Sequence, residues 1–189
     1  MKSLITTSID QHLELINKLY SLESPIAAAI DIAITCLSNG GKLMFCGNGG
    51  SAADSQHLAS EFTGRFVKDR RPLAAMALST DSSALTCISN DYAFSEVFSR
   101  QIIGLGKAGD CLFGISTSGN SENIFHAVKV ANELNINTIG LLGRDGGKLA
   151  PLCHCSIIVP SDITARIQET HILIGHIICD ATERGLGFI

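Results

Sequence analysis

Two short segments combine glycines with hydroxyl side chains, and each directly follows an apolar run. The first, at 47–51, reads Gly-Asn-Gly-Gly-Ser, and the second, at 116–121, reads Ser-Thr-Ser-Gly-Asn-Ser. Glycines let backbone N–H groups approach a ligand closely, and Ser51 is placed to cap a helix that begins there. Hydroxyls, free N–H groups and a helix N-terminus favour a bound phosphate group, although the same residues also mark ordinary turns. Two such loops in succession favour the phosphate site.

Neither loop matches a nucleotide-binding fingerprint. No Gly-Lys-Ser/Thr sequence follows either loop, as a P-loop requires. The glycines at 47, 49 and 50 also lack the third-glycine spacing of a dinucleotide motif. We therefore expect no nucleotide cofactor.

His57 and Glu61 lie four residues apart in the segment after the first loop. In a helix this spacing places both side chains on one face, close to the predicted phosphate site. An imidazole and a carboxylate so placed can share a divalent metal ion, or the carboxylate can act as a general base. A solvated contact between neighbouring helical turns is the simplest alternative.

The closing segment, 164–184, carries Gln168, His171 and His176 among apolar residues. In a helix Gln168 and His176 are separated by about 12 Å of rise and about 80° of rotation, so one ion meets both only if it lies between them. His171 lies on a different face and is expected to be structural. His12 lies on the apolar stripe of the first predicted helix and is expected to be a packed or rim residue.

Apolar periodicity places these residues on alternating strands and helices. Two amphipathic helices come first, at 3–20 and from Ser24-Pro25 to the Asn-Gly-Gly sequence at 39–41. The pattern then predicts strands at 42–46, 73–78, 110–116, 137–142 and 156–159, helices at 52–66, after 121 through 134, and 164–184, and mixed helix and loop at 81–104. This alternation predicts an α/β fold with a doubly wound parallel sheet. Ligands of such sheets bind outside the carboxyl ends of the strands, where both loops lie.

Composition narrows the class of protein. The 189 residues favour one domain, and 14 basic against 18 acidic residues, without a basic stripe, argue against nucleic-acid binding as the main function. No uninterrupted apolar run approaches the roughly 18 residues of a membrane span, and the N-terminus lacks the apolar core of a signal peptide. We expect a protein of the reducing cytoplasm, where its seven cysteines stay free.

Cys153, His154 and Cys155 have the side chains of a structural metal site. A zinc ribbon requires a second ligand pair at a defined spacing, and the sequence offers none. Cysteines in apolar segments also behave as small hydrophobic residues. We therefore expect no metal at this motif.

Four segments together resemble the phosphoheptose isomerases of the sugar isomerase (SIS) family. They are CGNGGSAADSQH at 46–57, EFTGR at 61–65, GISTSGNS at 114–121, and the segment that begins ARIQE at 165 and ends at His176. The resemblance covers essentially the whole chain, whereas the Ser-rich loop alone indicates only the wider SIS superfamily. It implies a five-stranded parallel sheet in a flavodoxin-like three-layer sandwich with an N-terminal helical extension.

The resemblance also implies roles for individual residues. Glu61 and His176 correspond to the family's acid/base pair. His57, Glu61, Gln168 and His176 correspond to its site for one zinc ion per subunit. The residues that correspond to the family's substrate contacts are Asn48, Gly49, Gly50, Glu61, Asn90, Asp91, Ser116, Thr117, Ser118, Ser121 and Gln168.

The implied reaction is the interconversion of sedoheptulose 7-phosphate and D-glycero-D-manno-heptose 7-phosphate through a cis-enediol. In the family this is the first step towards the ADP- or GDP-heptose precursors of bacterial surface polysaccharides such as lipopolysaccharide. The resemblance further implies a homotetramer with active sites at subunit interfaces. Residues 1–40 would serve oligomerisation and residues 41–189 would form the sugar-phosphate-binding core of a single SIS domain.

Two alternatives stay open at the level of sequence. A non-catalytic SIS protein that binds a sugar phosphate or a replication initiator would keep the phosphate loops and lose the acid/base residues. All four residues of the implied metal and acid/base site are present here, which favours an enzyme. An isomerase of another phosphosugar is the second alternative, because phosphate contacts do not measure the length of a sugar.

Overall fold

The computed structural model describes residues 2–189 and has a five-stranded parallel sheet at its centre. The strand order is β2-β1-β3-β4-β5. The strands are β1 Leu43–Gly47, β2 Ala75–Ala77, β3 Cys111–Ser116, β4 Asn137–Gly143 and β5 Cys155–Val159. The predicted fold class is confirmed.

Seven α-helices are found among residues 2–189. They are α1 Lys2–Lys18, α2 Glu23–Ser38, α3 Gly50–Thr63, α4 Ser82–Asp91, α5 Ser99–Leu105, α6 Glu122–Glu133 and α7 Thr164–Gly185, with 3-10 turns at Leu19–Leu22 and Phe94–Glu96. Helix α3 begins two residues before the predicted 52–66 segment and ends three residues earlier. The mixed segment at 81–104 resolves into α4, a 3-10 turn and α5.

The central strands are buried on both faces, as parallel strands covered by helices must be. Successive side chains of β1 therefore enter two separate cores. Phe45 stacks on Phe113 at 4.8 Å between ring centroids, on the side that α2, α3 and α7 cover. Met44 and Leu112 enter the core on the opposite side, with α5 and α6. Apolar residues on both faces explain the high aliphatic content.

The chain reverses its direction of winding between β1 and β3. From β1 it continues to β2 on one side and then returns to β3 on the other, so β1 and β3 are neighbours in the sheet. Gly47, the last residue of β1, is in register with Ile115 of β3. In open α/β sheets the crevice at this reversal is where ligands bind. The loops at 47–51 and 116–121 both lie there.

Helices α3 and α7 pack closely side by side on one face of the sheet. Their contact depends on Gly175, where a Cβ atom would lie only 2.5 Å from Cδ2 of the buried Leu58. Any side chain at this position would force the helices apart. Because Leu58 follows His57 and Gly175 precedes His176, this close contact brings the two histidines together.

The two N-terminal helices present apolar side chains to the exterior. Leu4, Ile5, Ile9 and Leu13 of α1 are each more than half exposed. By length and composition alone, the helical stretch Ser3–Ser38 could cross a membrane; this is weak evidence, since core helices of soluble proteins and signal sequences pass the same test. Helix α1 is also anchored to α7 by polar bonds, which the next section describes.

Candidate active site

His57, Glu61 and His176 converge on one point between α3 and α7. Nε2 of His57 lies 3.0 Å from Oε1 of Glu61, and the rings of His57 and His176 meet edge to face at 5.1 Å between centroids. One ligand atom from each residue lies within 4.8 Å of the other two. Among residues 2–189 this is the only such group of three or more His, Cys, Asp or Glu side chains.

The environment of His176 leaves one of its nitrogens without a partner. Its Nε2 atom is buried and makes no hydrogen bond. The ring of Phe66 covers the imidazole at 5.3 Å between centroids. A buried polar atom without a partner is costly, and a bound ion beside His57 and Glu61 would satisfy this one.

This donor set fits a zinc ion. Two imidazole nitrogens and one carboxylate oxygen are typical of catalytic zinc sites, which keep a further position open for substrate or water. The partnerless Nε2 of His176 supports the same interpretation. His57, Glu61 and His176 would therefore hold the metal, all from one chain.

Gln168 reaches the other end of α3. A Cβ atom at residue 50 would lie 2.6 Å from Nε2 of Gln168, so the amide rests directly on Gly50 at the start of the helix. His57 lies two turns further along α3, about 10 Å of rise away. Gln168 and His176 are therefore as far apart along α7 as the sequence predicted. Gln168 contacts the start of α3 at Gly50, and His176 contacts its later part at His57.

The loop at 116–121 presents its hydroxyls close together. The Oγ atoms of Ser116 and Ser121 are 3.1 Å apart, and the backbone N–H of Gly119 donates to Ser116 Oγ. Ser121 is the N-cap residue of α6, yet its side chain makes no capping hydrogen bond. The first N–H groups of α6 therefore stay available to an anion. Thr117 and Ser118 are half-buried beside them.

The loop at 47–51 differs from its sequence-based interpretation in one respect. Gly49, with φ +56°, occupies the N-cap position of α3, and Ser51 is buried inside the first turn. The prediction that Ser51 caps the helix is therefore wrong. A residue with a side chain is strained at this φ, which explains why glycine precedes the helix. The exposed Gly49 and Gly50 leave the loop open to a ligand.

The two loops are joined by a reciprocal pair of amides. Nδ2 of Asn48 donates to Oδ1 of Asn123 at 2.9 Å, and Nδ2 of Asn123 donates to Oδ1 of Asn48 at 2.8 Å. Asn123 is buried in the first turn of α6. Sequence reasoning missed it, because the partners are 75 residues apart. The Asn that ends TSGNSEN was the only local signal.

Asn90 and Asp91 lie at the exposed C-terminal end of α4. Asn90 Nδ2 donates to Asp91 Oδ1 at 2.8 Å, and the thiol of Cys87 donates to Asp91 Oδ2. Hydrogen bonds from Asn90 and then from Cys87 lower the pKa of Asp91. These bonds stay within α4, so the substrate role implied for the two residues stays a prediction.

Asp54 lies one turn before His57 on α3. One carboxylate oxygen, Oδ2, is buried without a partner, and burial raises the pKa of this group, while His57 acts in the opposite direction. The carboxyl group lies on the same stretch of α3 as His57 and Glu61. It is a second feature of the site that sequence reasoning missed.

Two expectations about histidines are confirmed. His171 is fully buried and hydrogen-bonded to the carbonyl oxygen of Leu142, so it is structural. His12 lies at the rim of α1, where its Nδ1 atom is 2.8 Å from Glu169 of α7, and Arg166 joins the same pair of helices. The thiol of Cys155 instead donates to the carbonyl of Pro25. Cys153 and His154 join no metal-ligand group in the described part of the chain.

Comparisons with known proteins show the family of the chain. A family model described as the SIS domain matches residues 9–143. The phosphoheptose isomerase of Helicobacter hepaticus is 52% identical over 187 residues, which cover 99% of this chain and 95% of the relative. The chain belongs to the phosphoheptose isomerase family. The resemblance noted in the sequence is thereby confirmed.

Solved structures of the phosphoheptose isomerase family share the whole fold. The enzyme GmhA from Neisseria gonorrhoeae superposes with a TM-score of 0.92 at 46% identity and covers 97% of this chain and 98% of its own. A phosphoheptose isomerase from Francisella tularensis gives a TM-score of 0.93 at 39% identity, with 97% and 100% covered. The N-terminal helices are therefore part of the family's fold.

Proposed function

We propose that the protein isomerises sedoheptulose 7-phosphate to D-glycero-D-manno-heptose 7-phosphate, an aldose–ketose isomerisation. The observation that carries this proposal is the convergence of His57, Glu61 and His176 beside the crevice between β1 and β3. Family membership supports the substrate, since curated relatives at about 50% identity are named for it. As in the family, the product would enter heptose precursor synthesis for surface polysaccharide in the cytoplasm.

The phosphate would be held by the loop after β3. Ser116, Thr117, Ser118 and Ser121 supply hydroxyls, and the start of α6 supplies free N–H groups and the positive end of the helix dipole. The sugar chain would extend towards the loop after β1. Its contacts are proposed to be Asn48, Gly49, Gly50, Glu61, Gln168, Asn90 and Asp91.

The reaction moves one hydrogen from C1 to C2 and changes which oxygen carries a proton. We assign the carbon-bound proton to Glu61, whose carboxylate takes it from C1 and returns it to C2. His176 protonates O2 as the cis-enediol forms and accepts the O1 proton as the aldehyde forms. The hydrogen bond to His57 involves Oε1 of Glu61, and we assign the proton transfer to the second carboxylate oxygen.

Zinc is proposed as the cofactor, one ion per subunit, held by His57, Glu61 and His176. The resemblance adds Gln168 as a fourth candidate ligand, although its amide rests on Gly50 in this structure. When bound, the ion would polarise the carbonyl oxygen and stabilise negative charge on it. The two roles of Glu61 are compatible because a carboxylate has two oxygens. No nucleotide cofactor is proposed.

The exposed apolar surface of α1 supports self-association, and the oligomer is proposed to be the homotetramer with interfacial active sites that the resemblance implies. Beyond the exposed residues of α1, a cavity of about 600 Å³ lies between the N-terminal helices and α7. Apolar surface of this extent on a soluble protein marks an interface. Its lining residues are Ile16, Leu19, Tyr20, Glu23, Ile26, Ala27, Ile30 and Ile177. Residues 1–40 would thus assemble the oligomer, and a stable, active monomer in sedimentation would contradict this.

A direct assay tests the function. The purified protein is incubated with sedoheptulose 7-phosphate, with and without a chelator, and the aldose product is measured. We expect turnover that the chelator lowers and added zinc restores. Binding of the sugar phosphate without turnover would overturn the enzyme assignment, and faster turnover of a shorter phosphosugar would overturn the choice of substrate. If the chelator leaves turnover unchanged, the proposed zinc cofactor is rejected and the proposed reaction is not.

A further inference from the structure

A buried ion pair lies close to the cluster of His57, Glu61 and His176, between the loop after α3 and the last turns of α7. Nε of Arg70 lies 2.5 Å from Oε1 of Glu183, and both side chains are 1% exposed. Burial alone would raise the pKa of Glu183, but hydrogen bonds from the N–H groups of Phe66 and Val67 and from Arg70 lower it below its ordinary value. We call Arg70 and Glu183 the α3–α7 clamp.

Arg70 holds the end of α3 that carries Glu61. Its Nη2 donates to the carbonyl of Glu61 at 2.8 Å, and its Nη1 donates to the carbonyls of Phe62 at 2.9 Å and Gly64 at 3.3 Å. The last carbonyls of a helix have no partner within it. The guanidinium supplies those partners, so the turn that carries Glu61 is fixed by the clamp.

Glu183 fixes the surroundings of His176, the member of the cluster that lies on α7. It follows His176 by seven residues and lies two turns further along nearly the same face of α7. Its carboxylate accepts the backbone N–H of Phe66 at 2.9 Å and that of Val67 at 3.1 Å. These bonds fix the loop that places the Phe66 ring 5.3 Å from the ring of His176.

The ion pair is a poor device for stability alone. Removing two charges from water costs about as much as their attraction returns, so an apolar pair of similar volume is often equally stable. The charged groups instead add geometric specificity. The N–H groups of the guanidinium and the two carboxylate oxygens together hold the end of α3, the loop at 66–67 and α7 in one arrangement. The clamp joins the backbone of Glu61 to the ring that covers His176.

We propose that Arg70 and Glu183 are positioning residues that set the spacing of Glu61 and His176. Among the described residues, neither side chain makes a hydrogen bond to the loops at 47–51 and 116–121, which are assigned to the substrate. The expected loss of turnover rests on the proposed function, whereas the expected loss of metal affinity does not. Loosening the clamp should weaken metal binding and turnover and leave the KM for the sugar phosphate nearly unchanged.

The test compares two clamp variants with a matched control. Arg70→Lys keeps the charge and loses the fork of donors, and Glu183→Gln keeps the shape and loses the charge. The control is Lys42→Met, which breaks the ion pair of Lys42 with the buried Asp110 at the amino ends of β1 and β3, away from the site. Urea unfolding, calorimetric titration of the metal-free proteins with Zn²⁺ alone, and kcat and KM for sedoheptulose 7-phosphate are measured for each.

Both clamp variants should lose about tenfold to 100-fold in zinc affinity and in kcat, as substitutions of groups that orient metal ligands do. Lys42→Met should lose stability and keep the zinc affinity of the wild type. Folded clamp variants with wild-type zinc affinity would overturn the proposal, as would an equal loss of zinc affinity in Lys42→Met. If neither clamp variant folds, Glu183→Asp decides, since it keeps the charge and draws the carboxylate back from Arg70 and from the N–H groups of Phe66 and Val67; unchanged zinc affinity there would overturn the proposal.

The zinc titration separates this inference from the proposed function. Weaker zinc binding in the clamp variants of a protein that does not isomerise the heptose phosphate would support the clamp and overturn the function. Normal isomerisation by the wild type, together with unchanged zinc affinity in folded clamp variants, would support the function and overturn the clamp.

Discussion

Acidification should destabilise the fold through one buried histidine. His171 has no exposed surface; its ring lies 3.0 Å from the carbonyl oxygen of Leu142 through Nε2, and its Nδ1 is buried without a partner. Burial lowers the pKa of His171 to about 4, although the bond to the Leu142 carbonyl acts in the opposite direction. The folded protein therefore keeps this imidazole neutral at pH 7.

The sign and size of the effect follow from the difference between the folded and unfolded states. An unfolded histidine titrates near pH 6.5, so between pH 6.5 and 4 the unfolded chain binds more protons than the native chain does at His171. Stability from this residue is fully present above pH 6.5 and is lost as the pH falls through 4. A pKa difference of about 2.5 corresponds to about 3 kcal/mol of unfolding free energy.

Urea unfolding at pH 7, 5.5 and 4.5 checks this prediction, at fixed protomer concentration and with a chelator present so that metal release does not contribute. The matched variant is His171→Gln, whose amide can still donate to the carbonyl of Leu142 but does not titrate. The exposed His154 provides a control in His154→Gln. Wild type and His154→Gln should lose more stability on acidification than His171→Gln. The same pH dependence in all three proteins would refute the reasoning.

Two further substitutions test the substrate side of the site. Gly50→Ala places a Cβ atom 2.6 Å from Nε2 of Gln168 and should displace that flexible amide. The variant should stay folded and lose about tenfold to 100-fold in kcat/KM, the cost of displacing a site group by about 1 Å; steady-state kinetics at wild-type values would contradict this. Asn123→Ala leaves both polar groups of the Asn48 amide without their partner and should raise the KM for sedoheptulose 7-phosphate about tenfold, the equivalent of one lost hydrogen bond. An unchanged KM, with kcat lowered instead, would show that the amide pair does not position the substrate.

Much of the fold follows from local pattern. Strands buried on both faces read as short apolar runs, and the glycine-rich turns between them mark where strands end. Because parallel strands place their carboxyl ends on one side of the sheet, the sequence predicted that both loops lie where ligands bind, whereas the direct pairing of β1 with β3 came only from the structure. The spacing of His57 and Glu61 placed both on one helical face, and the structure brings them within 3.0 Å.

The remainder of the site depends on contacts between distant parts of the chain. Arg70 and Glu183 are 113 residues apart, and charged residues in a sequence are expected at the surface unless a partner is known. The helix start at Gly50 was also missed, since the backbone at Gly49 rather than the Ser51 hydroxyl sets it. The approach of α3 to α7 at Gly175 depends on the shape of Leu58, which no local pattern encodes.

Turnover of sedoheptulose 7-phosphate by Glu61→Gln is the most direct test of the proposed mechanism. Glutamine keeps the size of the side chain and cannot accept a proton from carbon. The control is Glu14→Gln, which removes an exposed carboxylate of α1 that pairs only with Lys18 in the described hydrogen bonds. A folded Glu61→Gln protein should lose at least about 100-fold in kcat, the lower range for general acid–base catalysis, while Glu14→Gln keeps wild-type turnover. Near-normal isomerisation by folded Glu61→Gln would contradict the assignment of Glu61 as the base.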